Sequence, residues 1–396
     1  MKISEANKLR ILYFLVFSCT ASWLPIFADF LNDQGLSGLK IGIVLSVTPV
    51  MMFLIQPFSG MLADKIGYKK SLLIAALLAS ISYLFYLVDG TFVYFFIVTI
   101  FMSLFYNTLQ PVLDSLSLSL ASKDTHFSYG SLRIAGALGW ASTGIFVGYG
   151  IDAVSTTVIF AFSSASMLLT FLFSFLLMNE KKEERATTII AAQPDLRKIL
   201  QNRTLLFLLV SIFLISTGAT AIWNFYSIYM KENGASASLV GYGISFQGLC
   251  ELPMFYFSAR IIQRFGIKPT LLITVFATAV RLMLYSVVDN PKAAILIELL
   301  HGISWSLFWV VCVECVNKLV IEEWRATGQS LLYAAYFGIG QIAGNFWTGY
   351  LYDSNMKISE IFLLNAGIVL FVGVLIWIFF RDFQLKSSAP HSPVLH

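Results

Sequence analysis

Charge is what this chain has least of. Only 12% of its 396 residues are Asp, Glu, Lys or Arg, about half the ~25% usual in soluble globular domains. That shortfall excludes an ordinary water-soluble domain. Cysteine is scarce too, and Cys19, Cys250, Cys312 and Cys315 all fall inside apolar runs. Cys312 and Cys315 have the C-x-x-C spacing of redox and metal sites, but no strand or second ligand pair accompanies them. We expect buried small apolar residues there, with no disulfide and no metal. The chain also lacks a phosphate-binding loop, a metal-ligand cluster and a nucleophile elbow. This argues against an enzyme and against an ATP-driven pump within this chain, and no cofactor is expected.

Hydrophobic residues make up 58% of the chain, and the mean hydropathy is +0.78. These are the values of an integral membrane protein. Twelve apolar runs are each long enough to span a ~30 Å hydrocarbon core. They fall near 9–31, 38–62, 70–88, 91–120, 127–150 and 156–178, then near 204–230, 238–262, 269–288, 292–320, 327–351 and 358–380. The first follows a basic start, as a signal peptide would, but it is too long and lacks a small-residue cleavage site. It reads as an uncleaved first helix.

Of the 26 basic residues, Arg133 and Arg281 are intramembrane, and only Lys40, Lys231, Lys292 and Lys357 fall on the side opposite the N-terminus. The other twenty share the N-terminal side, which predicts that both termini are cytoplasmic. The net charge of +4 expresses this bias and implies no nucleic-acid partner.

The one long polar connection divides the chain. Residues 1–178 are expected to form an N-terminal six-helix bundle, 179–203 a cytoplasmic linker, 204–381 a C-terminal six-helix bundle and 382–396 a cytoplasmic tail. The halves are related in sequence. Gly67 and Lys69 recur as Gly266 and Lys268, and Leu72, Leu73, Ile74 and Tyr86 recur at the same offset as Leu271, Leu272, Ile273 and Tyr285. Parallel six-helix repeats with a midplane site between them describe one large class of secondary transporter.

Residues 101–140 place an acid and a base inside otherwise apolar helix. Asp114 and Arg133 lie equally far from a polar turn around Ser122 to His126, so antiparallel helices bring them to one depth. A charge in the membrane interior costs at least ~2.5–3.5 kcal/mol. We therefore expect the two to face a water-accessible cavity. Trp140, two helical turns beyond Arg133, shares its face. The alternative role for the three is a buried ion pair locking two helices, with Trp140 as packing.

A second cluster lies in the other half. Glu251 and Arg281 are equidistant from the turn at Gly266, and Glu298 and His301 follow on one face at i and i+3. Four titratable groups near the membrane centre form a plausible proton relay.

The run GMLADKIGYKK, Gly60 to Lys70, matches the G-x-L-A-D-[RK]-x-G-[RY]-[RK]-[RK] signature of the major facilitator superfamily. The resemblance implies twelve helices in two six-helix bundles related by a pseudo-two-fold, and a gating role for Gly60, Asp64, Gly67 and Lys69. Asp114, Arg133 and Trp140 further resemble the lactose permease group of proton-coupled sugar transporters. There, the acid and arginine hydrogen-bond sugar hydroxyls and the tryptophan stacks on the ring. Val280 to Ser286 and Leu300-His301 are similar to that group's ninth and tenth helices, which implies that His301 also contacts solute. Asn224 aligns with an asparagine on its seventh helix, at the cavity or as a packing amide.

Departures are equally specific. The group's proton-carrying glutamate is Ser304 here, a lysine is Glu298, the acid at Glu251 is shifted by about one turn with Gly248 at the aligned position, and the seventh segment has no aspartate. The phenylpropionate and nucleoside permeases have a similarly reduced pattern. The resemblance implies a multi-pass protein of the bacterial cell membrane, acting as a monomer, that uses alternating access to carry a proton with a small polar solute. A sugar or oligosaccharide is the first expectation. Uptake of an aromatic acid or nucleoside, drug or metabolite efflux by the same fold, and a non-transporting solute sensor are the alternatives.

Overall fold

A computed structural model describes residues 4–123, 129–177 and 201–380. The linker, the C-terminal tail and part of the turn at Ser122 to His126 lie outside the described residues. Among the described residues the chain forms twelve helical rods and no strand. In chain order these are α1 (Glu5–Asp33), α2 (Gly38–Ile66), α3 (Tyr68–Leu84), α4 (Phe92–Lys123), α5 (Tyr129–Ala153) and α6 (Val158–Ser174). The second set is α7 (Arg203–Glu232), α8 (Ala237–Phe265), α9 (Ile267–Val287), α10 (Pro291–Leu319), α11 (325–353) and α12 (Ile358–Phe379). Nine rods are long and apolar enough to cross a membrane by composition alone, while α6 is shorter. The rods α8 and α11 fall outside that set, and both line the contact between the halves.

Local chemistry sets the helix ends. Asn202 and Asn290 accept hydrogen bonds from the free N–H groups that start α7 and α10. Positive-φ glycines end helices at the same points of both halves: Gly35 and Gly234, then Gly67 and Gly266. The repeated lysines have one job in each half. Lys69 donates to the Phe175 and Leu177 carbonyls past the end of α6, at 2.9 and 2.6 Å, and Lys268 donates to Trp377 near the end of α12 at 2.9 Å. The duplicated Gly-x-Lys motif is thus a duplicated helix-end clamp.

On the side opposite the N-terminus the halves are sewn together twice over. A Cβ on Gly38 would sit 2.4 Å from the Gly349 carbonyl oxygen, and one on Gly349 would sit 2.2 Å from that of Gly38. The same reciprocal approach joins α5 to α8 through Gly144 and Gly241. No side chain fits at these crossings. Each is then capped across the interface. The Asp353 carboxylate, ending α11, accepts from the Gly38 and Leu39 N–H groups that start α2. The Asp152 carboxylate, ending α5, accepts from Ala237 and Ser238 at the start of α8, at 2.8 and 2.9 Å. Lys231 on α7 adds ion pairs to Asp29 and Asp33 on α1 at 3.2 and 2.6 Å.

The N-terminal side looks different. The inner halves of α2 and α8 carry exposed Phe53, Phe58 and Tyr256, and a Cβ on Gly60 would meet nothing within 4 Å. Gly60 therefore makes no close helix approach in this structure. The Asp64 side chain lies outside the described set. The two halves are joined at the end opposite the N-terminus, and α2 and α8 are more exposed toward the end that carries it.

A carboxylate capping a helix N-terminus contributes about 0.5–2 kcal/mol. Combining Asp152→Ala with Asp353→Ala is thus expected to shift the open-outward population by about tenfold or more. Spin labels at Asp89→Cys and Lys292→Cys, on the outer tips of the two halves, would report a longer distance population in the double variant. An unchanged distribution would show that the caps do not hold the seal.

Candidate functional site

Asp114 follows Pro111 on α4 and is half-buried. Its Oδ1 accepts a 2.7 Å hydrogen bond from the hydroxyl of Tyr13, a fully buried residue of α1. Arg133 on α5 is also half-buried, and its guanidinium carbon lies 5.8 Å from the centre of the Phe17 ring. Tyr333 of α11, in the opposite half, lies within electrostatic reach of both charges.

Trp140 lies two turns further along α5, at a small central cavity. Its neighbours there are Pro25 of α1, Trp223 and Tyr226 of α7, and Gln247 of α8. Its indole can reach this point because Gly248 is opposite: a Cβ there would sit 3.0 Å from Trp140 Cδ1. Trp140 Nε1 and Tyr226 Oη are buried without a hydrogen-bond partner among the described residues. The cavity has a volume of about 10 Å³, room for a water that would match these two polar atoms.

The second cluster is one continuous chain of hydrogen bonds. Glu251 Oε1 lies 2.9 Å from His301 Nε2, and His301 Nδ1 lies 2.8 Å from Arg281 Nη1. Arg281 Nη2 forms an ion pair with Glu298, whose other oxygen accepts from the Tyr285 hydroxyl. Arg281 also reaches Ser304 Oγ at 3.5 Å. All four residues singled out in the sequence meet, and Tyr285 and Ser304 join them.

Three local features make this meeting possible. Residues Glu298–Leu300 are 3-10 helix, in which i and i+3 eclipse, so Glu298 and His301 stand one above the other on Arg281. Gly302–Leu307 is π-helix, which re-phases the rest of α10. Gly302 brings α10 against α8, since a Cβ there would lie 2.3 Å from the Cys250 carbonyl oxygen. That approach lets His301 touch Glu251.

The guanidinium fixes the imidazole's protonation state. Arginine can only donate, so Nδ1 facing it must be the acceptor, and Nε2 carries the proton given to Glu251. A second proton on His301 would point an N–H at the guanidinium. Burial then separates the roles of the acids. Glu298 and Arg281 are sealed, at 1% and 3% exposure, whereas the Glu251 side chain retains 21%. Glu251 also sits in the fields of both Arg133 and Arg281.

Two sequence expectations change. His301 is fully buried behind Glu251, so in this structure it is a network residue and does not face solute. Asn224 donates to Asn345 Oδ1 at 2.7 Å and is buried. It ties α7 to α11 and does not line the cavity beside Trp140, because its partner on α11 holds the amide there. Tyr13 was missed, since one tyrosine in an apolar run gives no sign of its partner. Trp223 and Tyr226 flank Asn224 in sequence, and only the rotation of α7 shows that they, and not the amide, reach the cavity.

The comparisons agree with this architecture. The family profile described as MFS_1 like family matches residues 6–364. The maltose permease of Geobacillus stearothermophilus is 28% identical over 92% of this chain and 91% of its own length. The sucrose permease of Escherichia coli is 26% identical over 96% and 94%. The crystal structure of the nucleoside transporter NupG superposes with a TM-score of 0.84 at 20% identity, covering 96% of this chain and all of that one, which establishes the fold. The chain belongs to the MFS_1 like family, a group of secondary transporters within the major facilitator superfamily.

Proposed function

We propose that the protein is a proton-coupled symporter of a small polar solute, with sugars first, working by alternating access. The observation that carries this reading is the divided acid network: Glu251 borders the space between the bundles while Glu298 is locked to Arg281. Solute would be held by Asp114, Arg133 and Trp140, through carboxylate acceptors, forked guanidinium donors and a flat indole face. The proton would be carried by Glu251. Gly60, Asp64, Gly67 and Lys69 keep their proposed part in gating on the N-terminal side, with Lys69 acting through the end of α6. Maltose and sucrose permeases among the relatives support a sugar as the solute.

Coupling follows from shared electrostatics. Arg133 is within electrostatic reach of Glu251, and a solute that engages Arg133 alters the field at that carboxyl group. Protonating Glu251 removes the charge from the acceptor of His301 Nε2–H, which weakens that bond and loosens α8 from α10. A proton and a solute thereby bias the same helix contact, as a symporter requires. By charge bias the end that carries the N-terminus is cytoplasmic, and with α2 and α8 more exposed there the structure reads as the inward-open state, seated in the cell membrane with both termini inside. The protein is expected to act as a monomer.

Two kinds of variant test this assignment. Glu251→Gln is expected to abolish solute-driven alkalinisation while sparing solute exchange in liposomes, and Arg133→Ala to abolish both. Exchange and alkalinisation surviving together in either variant would refute it.

Glu298→Gln has a different predicted outcome. Removing one partner of a buried ion pair costs about 3–5 kcal/mol, so the main effect should be a lowered unfolding temperature in detergent. A stable Glu298→Gln protein with lost coupling would instead assign the proton to Glu298.

A further inference from the structure

A groove of about 270 Å³ runs along the seam of α9 and α12. Leu272, Val275 and Phe276 wall it on one side, and Leu370, Val374 and Trp377 on the other. Its walls all come from the C-terminal half, and Phe276, Val374 and Trp377 are exposed. Exposed apolar side chains on two helices that can each cross a membrane face acyl chains. The groove therefore opens to lipid, away from the solute and proton sites.

Glycine hollows this groove. Gly373 also lines it, and a Cβ there would stand 3.3 Å from Val275 Cγ1, so a longer side chain would fill the seam. The groove has a positive head as well. Lys268 lies one turn before Leu272 on α9 and in line with it, and its Nζ donates to the Trp377 carbonyl oxygen at 2.9 Å. That bond holds the ammonium over the end of the groove and uses one of its three donors. Beside it α9 begins at Gly266 without a side-chain cap, so its first N–H groups add to the positive field, and Arg264 is exposed across the turn. From Trp377 to Leu370 the groove follows two turns of helix, about 10 Å, which is roughly two-thirds of one leaflet of a ~30 Å core.

We propose that this groove is a binding site for an anionic phospholipid, with one acyl chain in the seam of α9 and α12 and the phosphate on Lys268. Bulk lipid touches any exposed apolar face, but it needs no cation fixed at the end of a slot that a glycine keeps open. Positive charge at one end and an apolar slot below it complement an amphiphile, and they match neither a soluble solute nor the apolar helix of a second copy. The charge bias puts this end in the cytoplasmic leaflet, whose surface is anionic. An exposed tryptophan at that depth anchors a helix at the headgroup boundary. Lys268 thereby has two roles, closing the end of α12 and meeting the headgroup.

Native mass spectrometry of the purified full-length protein, titrated with phosphatidylglycerol or with phosphatidylcholine of matched acyl chains, tests the proposal. Phosphatidylglycerol should be retained about fivefold or more tighter, the factor that one cation near an anionic headgroup contributes. Gly373→Leu should weaken both lipids severalfold by filling the slot. Lys268→Gln should remove the preference and leave phosphatidylcholine unchanged, while Lys268→Arg should keep it. Unfolding temperatures would identify a variant that merely misfolds, and Gly373→Leu keeps the test decisive if loss of the lysine clamp unfolds the protein. Equal retention of the two lipids by the unaltered protein, or phosphatidylglycerol binding untouched by both Gly373→Leu and Lys268→Gln, would overturn the site. A dimer that excludes lipid would overturn it too and assign the seam to a second copy of the chain. Solute-driven alkalinisation does not enter this test, so the symport reading stands or falls separately.

Discussion

Arg281 is the constraint around which the C-terminal half is built. A guanidinium that is only 3% exposed inside a membrane protein cannot shed its proton, so its donors need acceptors; both Nη atoms find them, while Nε has none among the described residues. Glu298, His301 and Ser304 supply them from α10. The 3-10 turn sets Glu298 and His301 one above the other, and Gly302 lets that side press against α8. Helix irregularity, close packing and the neutral tautomer of His301 are all consequences of satisfying one buried cation.

The duplication explains how such a site could arise on a symmetric scaffold. In the N-terminal half Tyr86 bonds Thr99 at 2.7 Å, thirteen residues on; in the C-terminal half Tyr285 bonds Glu298, again thirteen residues on. The same tyrosine position meets a neutral hydroxyl in one half and a carboxylate in the other. Ser82, whose hydroxyl turns back to its own helix, occupies the position equivalent to Arg281. Structural devices repeat faithfully: the glycine turns, the lysine clamps, the crossing glycines and the cross-bundle carboxylate caps. The buried pair of Arg281 and Glu298 does not repeat, since Ser82 and Thr99 stand at the equivalent positions.

Most of this was legible in sequence because charge is so rare there. Twelve spans, the repeat at Gly67 and Gly266, and the four-residue acid and base network could be read from hydropathy and from the cost of an isolated charge. What escaped had no such contrast. Asp152 and Asp353 look like ordinary loop acids until the neighbouring bundle supplies the N–H groups they cap. Tyr13 is one of many aromatics, and Asn224 could be assigned only once Asn345 was seen beside it. The π-turn in α10 escaped as well, because hydropathy carries no information about a helix register that shifts by one residue. Charges announce themselves locally, whereas partners across an interface do not.

The nature of the outer seal bears on how such a molecule can move. A transporter must hold its two states within a few kcal/mol of each other, or one state would never be populated. A broad apolar interface would close the outer end too firmly. Instead, Gly38, Gly144, Gly241 and Gly349 bring backbone against backbone, and the polar bonds there are helix caps and an exposed lysine between two aspartates. A cap of this kind is worth about 0.5–2 kcal/mol and an exposed ion pair about 0.2–1 kcal/mol. All can re-form with solvent when the end opens, since every group involved lies at a helix terminus. The buried Arg281–Glu298 pair is of the opposite kind, too costly to break during a cycle. It is therefore suited to stay fixed while α8, through Glu251, moves against it.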